Sequence, residues 1–343
     1  MTEIEQHLRR IHEAAAEIKR SITIMEICGG HTNVIMKHGL RGILPRNVRL
    51  VSGPGCPVCV SPQHDLDCMI ELATSGIPVA TYGDMIRVRG SRCSLEDAKS
   101  RGAAVHEVYS AEEVVELRKK LPNIVFFGVG FETTAPMTAF LLERRVPVYS
   151  VHRLIPACMK SLCNGAIKID GFINPGHVSA IIGAKAYREI KMPQVIAGFT
   201  AERVVRALSS LVEMIRDGGT TVVNAYPEAV QEHGNTKAQM ALEKHFYAAD
   251  SEWRGLGTIK SSGLEVREEA LNAKILHGDL LNEVQSNERT DCRCGDVLKG
   301  LIEPSECRLY GKPCTPSMPQ GACMVSAEGS CGIAYKYGDE RRR

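Results

Sequence analysis

Ile22-Thr23-Ile24-Met25-Glu26-Ile27-Cys28-Gly29-Gly30-His31-Thr32 is a largely apolar run that stops at two glycines and passes into a helical stretch ending near Gly39. Such a run fits a strand buried on both faces, and the glycines let the chain turn sharply into a helix. The pattern repeats at once, because Val48–Ser52 leads into Gly53-Pro54-Gly55-Cys56-Pro57-Val58-Cys59 and a helix predicted from near Pro62. Strand, turn, helix and strand in succession signal parallel strands joined by crossover helices, so the fold class is α/β. Working outward, strands are predicted at Val79–Tyr82, Ile124–Gly128, Val146–Val151, Gly171–Ile173 and Val195–Ala197. Helices are predicted over Glu3–Arg20, His64–Ser75, Ala111–Lys120, Ala135–Arg144 and Ala201–Arg216.

At 343 residues the chain exceeds one ordinary core. The reading is an N-terminal helix over 1–20, an α/β lobe over 21–121 carrying Cys28, Cys56 and Cys59, a second lobe over 122–245, and an irregular domain over 246–343. Both lobes are expected to be Rossmann-like with parallel sheets. After about Asp250 cysteine, proline and glycine rise while long apolar helices disappear, so a metal centre is the natural substitute for a core there. Arg341–Arg343 reads as a frayed tail. A formal charge of +2 with 24% charged residues argues against a nucleic-acid partner, and no apolar stretch predicts a membrane span. A soluble, cytoplasmic protein is expected.

Thirteen cysteines in such a chain point to metal or redox work rather than structural disulfides. Cys28 falls at the carboxyl edge of a predicted sheet, where α/β folds bind ligands, and the following helix N-terminus should favour thiolate. The plain alternative is a tight turn with an incidental cysteine. Cys56 and Cys59 have the C-x-x-C spacing of a dithiol at a strand-to-helix junction, suited to redox or transient metal binding; permanent zinc would need further paired ligands. If the first two strands are neighbours, three thiols face one cleft, a soft donor set for iron(II) or zinc, with His31 placed to ligate, orient or shuttle protons. A structural role for His31 weighs equally. Cys68, Cys93, Cys158 and Cys163 read as small buried hydrophobes.

Cys292, Cys294, Cys307, Cys314, Cys323 and Cys331 crowd the end of the chain without a second C-x-x-C. That spacing favours an iron-sulfur cluster over a zinc ribbon and does not by itself identify the ligands.

Taken in order, Cys28-Gly29-Gly30-His31-Thr32, Gly53-Pro54-Gly55-Cys56-Pro57-Val58-Cys59, Gly130-Phe131-Glu132-Thr133-Thr134-Ala135-Pro136 and Pro175-Gly176-His177-Val178-Ser179 resemble the HypD family of hydrogenase-maturation proteins. Trp253-Arg254-Gly255-Leu256-Gly257, Cys292-Arg293-Cys294-Gly295 and the Cys323–Cys331 segment extend the resemblance over nearly the whole chain. It implies a scaffold that works with a small HypC-like partner and a HypE-like cyanide donor to assemble the Fe(CN)2CO unit of [NiFe]-hydrogenase. By the same resemblance Cys28 binds the transient Fe(II), Cys56 and Cys59 form a redox-active pair, and Cys292, Cys307, Cys314 and Cys331 hold a [4Fe-4S] cluster. Cys294 and Cys323 are then a neighbouring dithiol, passing electrons from the cluster toward Cys56 and Cys59. Asn174 and Ala197–Glu202 depart from the family pattern, yet every assigned cysteine is in place.

His177 is expected either to aim at the same cleft or to cap a helix. Gly128-x-Gly130 resembles part of a nucleotide loop only weakly, which leaves Glu132 and Thr133 as cleft residues. A cluster-dependent thiol-disulfide oxidoreductase shares the dithiols but has no need of Cys28 and its Gly-Gly-His; a zinc-stabilised interaction module is the remaining alternative.

Overall fold

The computed structural model describes residues 2–287 and 291–338, so the expected tail at Arg341–Arg343 lies outside the described residues. Among the described residues eleven strands build two sheets: β1 (Ile22–Glu26), β2 (Val48–Ser52), β3 (Val79–Tyr82), β4 (Val105–Val108), β5 (Val125–Gly130), β6 (Val148–Arg153), β7 (Gly171–Pro175), β8 (Gln194–Ala197), β9 (Val222–Asn224), β10 (Phe246–Trp253) and β11 (Gly257–Val266). One sheet is wholly parallel with the order β2-β1-β7-β8-β9. In the other, β10-β11-β6-β5-β3-β4, the last four strands are parallel and the β10–β11 hairpin is antiparallel. The α/β class with two Rossmann-like lobes therefore holds.

Sheet membership does not follow the division expected near residue 121. The chain lays β1 and β2 in the first sheet, crosses to the second for β3 to β6, returns for β7 to β9, and crosses again for the hairpin. An apolar run tells a strand from a helix; it carries no information on which sheet the strand joins. Residues 246–266 also depart from the irregular segment expected there. Along β10 the buried Phe246, Ser251 and Trp253 face the protein, and the Trp253 indole N–H donates to Ser262 Oγ at 2.9 Å.

The N-terminal helix is Glu3–Glu17, opened by a capping box between Thr2 and Glu5, and its stripe of Ile11, Ala14 and Ala15 packs on the helix Ala201–Arg216. That second helix buries Val204, Val205, Leu208, Leu211 and Val212, a spacing of three and four that puts them on one face. Together the two helices close one side of the parallel sheet, leaving its carboxyl edge for the glycine-rich turns. Among the described residues no helix is long and apolar enough to cross a membrane.

Candidate metal and thiol centre

Cys28 occupies the N-cap of the helix Gly29–Lys37 with an extended backbone, φ −161° and ψ 124°; its sulfur makes no capping hydrogen bond, and the backbone N–H groups of Gly30 and His31 act on it only electrostatically. Its own N–H donates to Glu26 Oε2 at 3.0 Å, while the Thr32 hydroxyl donates to Glu26 Oε1. Glu26 is thus the clamp of the turn. Burial pushes its carboxyl up to about 7, opposed by hydrogen bonds from Thr32, Cys28 and Ser52.

The expected low thiol pKa at Cys28 is not what the surroundings dictate. Burial raises it to about 12, and the carboxylates of Glu328 and Glu26 add to the rise against the two N–H groups. Desolvation outweighs the helix terminus here, so the metal-free chain holds a thiol; a bound cation would supply the missing positive charge.

Gly55 joins the two glycine-cysteine turns. Its carbonyl accepts the Gly29 N–H at 3.2 Å, and a Cβ added at Gly55 would overlap the Cys28 backbone. The next residue, Cys56, forms a disulfide with Cys59, their Cα atoms 5.3 Å apart. Cys28 and the Cys56–Cys59 pair are therefore together at the ends of adjacent parallel strands.

His31 is buried and neutral, its pKa lowered to about 4 by desolvation. Nε2 donates to the carbonyls of Ala197 at 3.2 Å and Gly198 at 3.1 Å, which fixes the tautomer and leaves Nδ1 as a buried lone pair without a partner. The ring stacks on Phe199 at 4.8 Å, and His177 stacks on the same Phe199 at 3.9 Å. His177 makes no helix cap, since Pro175 occupies the N-cap of Gly176–Ile182. Both histidines thus meet through one aromatic ring.

Glu132, just past β5, accepts the Ile155 N–H through Oε1 at 3.0 Å, while Oε2 is buried without a partner. Burial lifts its pKa to about 8. It lines a cleft of about 790 Å³ between the lobes, and its field reaches Tyr187, which also senses Cys28. Thr133 beside it is half-buried in the turn that leads to the helix Ala135–Glu143. Gly128 and Gly130 serve packing: a Cβ would meet His152 at the first and Thr134 at the second, so neither belongs to a phosphate loop.

The six terminal cysteines converge. Cys294 interacts electrostatically with Cys292 and Cys323, Cys323 with Cys331, and Cys307 and Cys314 lie within reach of the group. Thiol donors and the Arg254 guanidinium hold Cys294 well below the ordinary thiol range, whereas Cys323 is pushed well above it. Among the described residues no three His, Cys, Asp or Glu side chains are arranged to hold a single ion. The donor chemistry suits a polynuclear centre, whose ligands attach at separate metal corners. This unit touches both glycine-cysteine turns: Ala322–Val325 packs on Pro57–Val60, Ser330–Tyr337 packs on Gly29–Lys37, and Glu328 lies against Gly29.

Residues 2–338 match the family model HypD, described as "Hydrogenase formation hypA family". The chain belongs to the HypD family. It is 41% identical over 351 residues to the hydrogenase maturation factor HypD of Azotobacter vinelandii, covering 96% of this chain and 93% of that one. The HypD of Rhizobium leguminosarum bv. viciae is 40% identical over 355 residues, with 96% and 92% covered. A putative hydrogenase expression/formation protein of Methanocaldococcus jannaschii is 39% identical over 347 residues, with 97% of each chain covered.

Within this HypD-family chain four neighbours of the site escaped sequence reasoning. Glu26 sits inside a strand, where a carboxylate reads as surface; Glu328 and Arg254 act at a distance in sequence. Phe199 lies two residues past β8, and the signal for it was position: β8 ends at the same carboxyl edge as β1. Arg254 rides on the β10–β11 turn, where its N–H donates to Val60 O at 2.8 Å and its Nε to Ser61 O at 2.7 Å.

Proposed function

We propose that this HypD-family chain is the scaffold on which a ferrous ion acquires its cyanide and carbonyl ligands for a [NiFe]-hydrogenase. Cys28 anchors the ion together with a thiolate from a small HypC-like partner, and a HypE-like protein delivers the cyanide equivalents. The observation that carries this reading is the junction at Gly55, which puts a single thiol and a disulfide side by side on neighbouring strand ends. Ferrous iron is cargo, and thiolate is a fitting soft donor for it. Binding displaces the thiol proton; Glu26, one hydrogen bond from the Cys28 N–H, keeps the turn in register as charge changes. The His31 ring, held neutral by burial and tied through Nε2 to two carbonyls, docks the turn on the end of β8 rather than carrying the displaced proton.

Cys292, Cys307, Cys314 and Cys331 are assigned as ligands of a [4Fe-4S] cluster, which when bound supplies single electrons at a tunable potential. Cys294 and Cys323 form the dithiol beside it. Two electrons and two protons convert the Cys56–Cys59 disulfide to thiols, and the packing of Ala322–Val325 on Pro57–Val60 gives the two pairs a common boundary.

The oxidoreductase reading shares these thiols and fits the geometry less well. At 3% and 0% exposure, Cys56 and Cys59 offer no sulfur to the disulfide of a folded protein substrate. Anaerobic co-purification with the small partner tests the proposal: infrared bands in the cyanide and carbonyl stretching region are expected. A complex that carries a cluster and reduces disulfides but never shows those bands would favour the oxidoreductase.

A further inference from the structure

Of the six terminal thiols, five are buried and Cys292 alone is partly open to solvent. It opens into a cleft of about 340 Å³ lined by Gln63, Arg89, Arg254, Cys292, Cys294 and Lys299. Arg254 is committed through Nε to Ser61 and through Nη1 to Gln63, but its Nη2 is buried without a partner. Among the described residues neither Arg89 nor Lys299 forms an ion pair, while the rim's Arg293 is matched by Asp296 at 2.8 Å. Two cations without an ion pair, Arg89 and Lys299, at one mouth, with Arg254 behind them against Cys294, are a marked local excess on a chain whose whole formal charge is +2.

We infer that this mouth is the docking surface for an acidic one-electron-donor protein, whose carboxylates meet Arg89 and Lys299 over the exposed side of the cysteine cluster, with the half-buried Arg254 adding its field from behind. The inference rests on the cluster assignment made above. Electrons bound for buried thiols enter by the face least shielded from solvent, and a cationic rim both steers an acidic partner and orients it. Each encounter moves one electron: the donor's centre is oxidised by one and the thiol-ligated centre reduced by one, with no bond made or broken. Two encounters, with two protons from water, reduce one disulfide.

Reduced flavodoxin, an acidic flavoprotein, serves as the probe in anaerobic binding measurements on the purified chain. Its Kd should rise about tenfold when salt is raised from about 50 to about 200 mM. Arg89→Glu combined with Lys299→Glu should raise Kd at low salt by about tenfold or more, whereas Lys19→Glu combined with Lys37→Glu, an equal charge change elsewhere, should alter it less than about twofold. Reduction by methyl viologen radical, a small cation, should not slow in the mouth variant. Equal weakening in both double variants, or unchanged binding in the mouth variant, overturns the inference. Iron and sulfide analysis of the same samples judges the cluster separately: a chain without them sinks that assignment, whatever the binding shows.

Discussion

Glu132 holds a proton in the folded chain that the unfolded chain releases, since burial raises its carboxyl from 4.5 to about 8. A raised folded pKa stabilises fully below the unfolded value, and the benefit is lost as pH climbs through the folded one. Glu132→Gln should therefore flatten the decline of stability between about pH 5 and about pH 8, by at most ~1.4 kcal/mol per pH unit. Urea midpoints across that range measure it; parallel slopes in the two proteins would mean that Glu132 is already ionised. Cys28→Ala makes the companion prediction: iron retention in the partner complex falls to background while visible absorption of the terminal cluster is unchanged. Retention at wild-type occupancy would remove Cys28 as the anchor. At this scale the thiols were legible because cysteine beside glycine at a strand end is a specific pattern. Glu26, Phe199 and Glu328 were not, because each acquires its role from a neighbour far away in the chain or from burial that its residue type does not announce.

Elements explain why the thiols meet at all. Hydrogen bonding between β1 and β2 brings Ile22 opposite Val48 and Glu26 opposite Ser52, so two turns of similar length end at one level. Gly55 then decides the final approach, because the atoms facing its missing Cβ belong to the backbone of Ile27 and Cys28 and cannot rotate away. Gly55→Ala should cost about 3 kcal/mol and abolish iron binding at Cys28, whereas Gly278→Ala, whose added Cβ would meet nothing nearer than Asn282 Nδ2 at 3.9 Å, should leave iron binding intact. Chemical unfolding and iron analysis of the two variants measure this, and normal iron binding in Gly55→Ala would show that the turns can separate without loss. Strands buried on both faces, such as β5 and β7, stood out as apolar runs. The short outer strands β4 and β9 did not: each lies at an edge and mixes polar with apolar side chains. The hairpin of β10 and β11 was masked because Ser251, Ser262 and Gly263 hold buried positions where apolar side chains would announce a strand.

Across the whole molecule the chain passes between the two sheets three times, so neither lobe is a continuous segment and each must wait for distant sequence to be completed. The cysteine-rich end is joined to this framework differently. Its helices Cys294–Leu298, Ala322–Val325 and Ser330–Tyr337 are too short to be stable alone, and they are anchored by side chains such as Arg41, which bonds Glu303 at 2.7 Å and Ser52 at 3.3 Å. Buried Val297, Leu298, Met324 and Ile333 contribute, but six thiols placed among them occupy the space that an aliphatic core would fill. On the cluster assignment proposed above, stability in this part depends on what the sulfurs bind. Chelating iron from the anaerobically purified chain should raise amide exchange across 294–337 by about tenfold or more, while the amides of β1, β5 and β7 keep their protection. Uniform loss of protection over both sheets would instead show that the cysteine-rich end and the lobes unfold as one unit, with the metal centre holding the entire fold; unchanged exchange across 294–337 would show that packing alone suffices there.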